Sequence, residues 1–182
     1  MEYALTPKDS ALKTVGRTVV NLQRLEQHVK AVANIFPFHG TLTIIQRDSA
    51  KHREKLIGMT LGQAISIWVA TWQGSRPIPQ LVEDPIDYTF TQRIEFNFDE
   101  QTKDHHANEL RELLKFRNDF IHGSLLRINW DSSAECEALS ATLEQWIARI
   151  GDQMQFLWQF IEHIKYLASL GPDDFEIVEC QD

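Results

Sequence analysis

Cysteine is scarce: Cys136 and Cys180 are the two in 182 residues. They make no short-spaced pair for zinc and no dense disulfide framework, which agrees with a reducing compartment. No run approaches the ~20 consecutive apolar residues that a membrane helix needs. The stretch from Met1 to Lys8 lacks the basic start and apolar core of a secretion signal, so the expected location is cytoplasmic, with no membrane. The seven histidines are scattered, with no His-Glu-x-x-His or His/Cys spacing. Gly58 and Gly62 lie four apart, but no Gly-Lys-Ser/Thr ending follows them, so this is not a nucleotide loop. Close helix packing is the better reading of those glycines. No metal and no cofactor is expected.

Hydrophobic residues at 43% and charged residues at 24% suit a single globular domain over residues 1–182 that can bury a real core. The net charge of -8 argues against a general nucleic-acid coat. Its distribution is uneven. Residues 1–98 hold 11 Lys/Arg against 9 Asp/Glu, a net of +2, and residues 99–182 hold 7 against 17, a net of -10. Arg47, Lys51, His52, Arg53 and Lys55 form the densest basic cluster, either a weak RNA-binding surface or a solvated loop. The tail 173–182 has five acids and no base and reads as a solvated acidic end.

Hydrophobic spacing gives a mainly α fold, an up-and-down four-helix bundle with a small β-hairpin insert. Val19, Leu22, Leu25, Val29, Val32 and Phe36 line one face of a first helix over Leu12 to Phe36. Phe38 to Ala50 is ambiguous between helix and extended chain. Thr60 caps a second helix ending at Trp72, in which Trp68 and Trp72 are read as core. Three prolines mark a loop over residues 74–87, and the alternation of Tyr88, Phe90, Ile94, Phe96 and Phe98 predicts an insert at about 86–98. Asp99 and Glu100 then open a third helix that runs to His122, with His105 and His106 in its first turns read as solvent-facing. Ser132 or Ser133 opens a last helix of about 36 residues, about 54 Å long at 1.5 Å per residue. Its apolar spacing is regular apart from one step between Gly151 and Met154; the surplus apolar face would support dimerisation, whereas a kink at Gly151 would let the helix pack on its own bundle.

The third helix carries the chemistry. Leu110, Leu113, Leu114 and Ile121 form an apolar stripe, and Arg117 falls on it. A guanidinium on a packing face must be paired or must border an anion-binding cleft. Glu26 flanks the first helix's stripe and is the candidate partner. Asn118 and His122 are four apart, so the amide can hold the imidazole in one tautomer. Gly123 supplies the left-handed stop past the helix end. At about 100° per residue Arg117 and His122 lie roughly 140° apart. They converge only through a distorted last turn or through two copies facing across a two-fold axis.

Arg117, the polar Asn118 beside it and His122 after four intervening residues resemble the Arg-x4-His signature of the HEPN superfamily. That resemblance implies a homodimeric, metal-independent endoribonuclease of toxin or antiviral-defence type, with its active site in a cleft between protomers. His122 would take the proton from a ribose 2′-hydroxyl, Arg117 would stabilise charge on the attacked phosphate, and Asn118 and Glu26 would support them. The products implied are a 2′,3′-cyclic phosphate and a 5′-hydroxyl. HEPN toxins silenced by nucleotide transfer resemble Arg-x4-His-x-Tyr, whereas Ser124 holds the tyrosine position here. A cognate antitoxin or regulatory protein is therefore expected to work in another way. The alternative is a non-catalytic helical module that uses the same surface to hold a partner protein or RNA.

Overall fold

The computed structural model describes residues 5–34, 38–40, 42–72, 90–92 and 98–169. The chain is mainly helical, with five α-helices among the described residues: α1 (Pro7–Ala33), α2 (Leu42–Ile57), α3 (Leu61–Trp72), α4 (Glu100–His122) and α5 (Ser133–Ser169). Two short strands, β1 (Phe38–Gly40) and β2 (Phe90–Gln92), pair antiparallel with Phe38 opposite Gln92, His39 opposite Thr91 and Gly40 opposite Phe90. This pairing is long-range. A hairpin closed within 86–98 would engage residues 93–97, which lie outside the described residues, as does the acidic tail.

Local chemistry sets the starts of α1, α3 and α4. Thr6 and Asp9 make a reciprocal capping box, so α1 starts at Pro7, five residues before the apolar spacing suggested. Thr14 and Thr18 are buried further along α1, satisfied by hydroxyl bonds to the carbonyls of Ser10 (3.1 Å) and Thr14 (2.9 Å). Thr60 and Gln63 cap α3 in the same reciprocal way. Asp99 caps α4, accepting from the backbone N–H and the hydroxyl of Thr102, both at 2.8 Å. Those two bonds hold the Asp99 carboxyl below its ordinary value. The ambiguous segment after β1 is helical, so the basic residues 47–55 stand on α2 and not on a loop.

Ion pairs and ring contacts give the helix directions. Lys8 meets Asp131 (3.5 Å), Arg17 meets Glu144 (2.7 Å) and His28 meets Trp158 (5.8 Å between rings), so α1 and α5 run parallel. Glu109 with Arg149 and Phe116 with Trp146 set α4 antiparallel to α5. An up-and-down chain of four helices would oppose its first and last members; here the first and last helices run parallel. The core gathers Leu22, Leu25, Val29 and Val32 of α1, Trp68 and Trp72 of α3, Leu110, Leu113 and Phe120 of α4, and Leu143, Ile150 and Leu157 of α5. Side chains of this size stabilise the fold by ~1.5–3 kcal/mol each on burial. Gly62 lets α3 approach α4: a Cβ there would lie 3.1 Å from Leu114 Cδ2. No helix among the described residues is long and apolar enough to cross a membrane.

α5 is one helix of 37 residues, continuous through Gly151. Its buried positions are Cys136, Leu139, Leu143, Ile150, Gln153, Leu157 and Phe160, with Gln153 at 2% exposure. Gln153 occupies the core register where the apolar spacing skips. The irregularity in sequence is therefore a polar residue in the seam.

Candidate functional site

The last two turns of α4 point their residues in different directions. Leu110 and Leu113 are buried as the stripe predicts, but Ile121 is 40% exposed and its neighbour Phe120 takes the core position. Phe120 stacks on Phe116, and Phe116 lies flat against Trp146, ring centroids 4.2 Å apart. Turning this aromatic column towards α5 carries Ile121 outwards.

Arg117 lies at the edge of the packing face with its side chain 38% exposed. Its Nη2 is 3.9 Å from Glu26 Oε2, and its Nη1 donates to Asn118 Oδ1 at 3.2 Å. Glu26 also pairs with Lys30, one turn along α1, at 2.9 Å. The expected approach of Glu26 and Arg117 is thus present, as a loose pair that Lys30 shares.

His122 closes α4 on the opposite flank. Gly123 follows, with its N–H donating to Asp119 O at 2.9 Å. Its φ of -136° is not the left-handed stop that the sequence suggested. The glycine is needed for closeness instead, since a Cβ there would stand 3.0 Å from the Asp119 carbonyl oxygen. The chain then enters a 3₁₀ turn, Ser124–Arg127. Residues three apart in a 3₁₀ turn eclipse one another, which sets Ser124 and Arg127 on one side. Residues four apart on α4 share a face, which sets Asn118 and His122 together. These pairs, with Asp119 and Gly123, line a surface groove of ≈ 370 Å³.

The groove joins His122 to Asn118 and Arg127 but not to Arg117. His122 is exposed and, among the described residues, makes no hydrogen bond or ion pair, so its ring nitrogens are open to a ligand in the groove. Asn118 is the hinge of the arrangement, lining the groove while its amide oxygen accepts from Arg117. No family model, curated protein or solved structure matches the chain.

The remaining candidates lie elsewhere. Arg47 pairs with its neighbour Asp48 at 3.1 Å, and Lys51 and Lys55 are exposed on α2, which packs against α1 and β1. The Arg53 side chain lies outside the described residues.

His106 departs from the solvent-facing reading. It stacks on Phe156 at 3.4 Å between centroids and bonds through Nδ1 to Gln153 Oε1 at 3.1 Å. Burial holds its pKa below the ordinary histidine value, with His105 acting the same way; the bond to Gln153 and the charge of Glu109 oppose this. The break in the α5 spacing was the available signal for this pair. Arg127 was also missed, because its relation to His122 depends on the 3₁₀ turn and not on helical spacing.

Proposed function

We propose that this protein is a HEPN-like, cytoplasmic endoribonuclease of toxin or antiviral-defence type. Its four-helix core would comprise α1, α3, α4 and α5, with α2 and the β1–β2 pair as additions. One observation carries the reading: an imidazole with no partner among the described residues stands in an open groove beside an amide that is bonded to a guanidinium.

In the proposed reaction His122 removes the proton of a ribose 2′-hydroxyl, and the freed oxygen attacks the adjacent phosphorus. The bond from phosphorus to the 5′-oxygen breaks, and that oxygen takes up a proton. The ends are a 2′,3′-cyclic phosphate and a 5′-hydroxyl. Arg117 stabilises charge on the non-bridging oxygens, Asn118 orients the participants and Glu26 restrains Arg117. Because Arg117 lies outside the groove of its own chain, the proposal includes a homodimer in which Arg117 of the partner subunit faces His122. Regulation by a cognate antitoxin or other protein belongs to the same reading.

The test is incubation of purified protein with total RNA in excess EDTA, beside a folded His122→Ala variant, with mapping of fragment ends. Cyclic-phosphate ends that vanish in the variant support the nuclease. Equal cleavage by both proteins, or none by a folded dimer across RNA pools, discards it. The second reading, a non-catalytic module that binds protein or RNA, draws on the separation of Arg117 from the His122 groove and on the net charge of -8.

A further inference from the structure

Resting on that nuclease reading, we propose that Arg127 is a phosphate-contacting residue of the same site, holding the RNA backbone in the groove of its own chain. The Arg-x4-His spacing points to Arg117 as the cation, yet Arg117 stands on another flank of α4, engaged by Glu26 and Asn118. The cation that shares a groove with His122 is Arg127. It is exposed and, among the described residues, forms no ion pair. Its guanidinium is always charged and suits two phosphate oxygens at once.

The turn geometry makes this more than nearness in sequence. Gly123 brings the chain against the Asp119 carbonyl, and Leu126 N–H donates to Gly123 O at 3.3 Å. The single 3₁₀ turn so formed sets Arg127 over Ser124 on the groove side. Ser124 adds a hydroxyl that can donate to a phosphate oxygen. Asp119 also lines the groove, and its negative charge opposes an anion there. Arg127 supplies the positive charge that offsets Asp119 in the groove.

The experiment uses the full chain and a short fluorescein-labelled 2′-O-methyl RNA of mixed sequence, which has no free 2′-hydroxyl and cannot be cleaved. Binding is followed by anisotropy across a salt series for wild type, Arg127→Ala, Arg127→Lys, Asp119→Asn and the distant control Arg24→Ala, each with a matching circular dichroism spectrum. For a single strand, loss of one phosphate contact makes the salt slope shallower by about 0.7. Arg127→Ala is expected to show that change with about tenfold weaker binding at low salt. Arg127→Lys is expected to recover the slope, Asp119→Asn to tighten binding, and Arg24→Ala to match wild type. Wild-type binding with an unchanged slope in Arg127→Ala overturns the role of Arg127 and leaves the nuclease reading standing. The same slope change in Arg24→Ala also overturns it, because the effect would be one of overall charge. No binding by the wild type at any salt overturns both.

Discussion

Glu26 divides its carboxylate between Lys30 Nζ, at 2.9 Å within α1, and Arg117 Nη2, at 3.9 Å across to α4. Both Glu26 (27% exposed) and Arg117 (38%) are partly wet, so water screens the pair. Its role is to bias where the guanidinium points more than to hold the fold. A double-mutant cycle with Glu26→Gln and Arg117→Ala, read by chemical denaturation, should give a coupling of about 0.5 kcal/mol. Strictly additive losses would show that the two charges do not interact in solution.

Gly123→Ala should destabilise the protein by about 1–2 kcal/mol. The added methyl meets the Asp119 carbonyl oxygen at 3.0 Å, and that carbonyl is fixed by the Gly123 N–H bond at 2.9 Å. Neither atom belongs to a flexible side-chain tip, so the 3₁₀ turn itself must shift. A thermal or denaturant midpoint equal to wild type would contradict this.

His106 should make the fold weaker in mild acid. Its folded-state pKa lies below the ordinary value because burial disfavours the imidazolium. The unfolded chain therefore binds more protons below about pH 6.5. The contribution of His106 is complete above that pH and declines as pH falls through it towards the lower folded value. His106→Gln keeps an amide near Gln153 and cannot titrate, so its denaturant midpoint should fall less than that of wild type between neutral and mildly acidic buffer. Parallel pH profiles for the two proteins would assign the acid sensitivity elsewhere.

Arg149→Lys should cost about 1 kcal/mol despite keeping the charge. Nε and Nη2 of Arg149 donate to the two oxygens of Glu109, each at 3.0 Å, and its guanidinium covers Trp146 at 4.3 Å. An ammonium can keep the charge but not the two-pronged bond and the stack together. If Arg149→Lys and wild type unfold at the same denaturant concentration, the planar geometry contributes nothing.

Periodic apolar spacing carried most of the helical reading, because burial of one face repeats along a helix whatever it packs against. It located α3, α4 and α5 and the core roles of Trp68 and Trp72. It failed where a polar residue did an apolar residue's work. Thr14 and Thr18 satisfy their hydroxyls within α1, and Gln153 satisfies its amide on His106, so each can be buried without an apolar signature. Residues 38–50 carried too mixed a pattern to separate helix from extended chain, and they form β1 and the first part of α2.

The candidate site divides along the same line. Arg117, Asn118 and His122 were legible because their spacing on one helix fixes their relative directions, including the divergence of Arg117 from His122. Glu26 was nameable from its place beside a packing stripe, since a charge on such a face needs a partner. The sequence by itself determined most of α1, α3, α4 and α5 and the chemical character of the end of α4. Tertiary structure alone decided that Arg127 shares the groove with His122 and that Gln153 partners His106. Those relations rest on how one 3₁₀ turn reverses and how two helices meet, and neither is encoded in the period of a single helix.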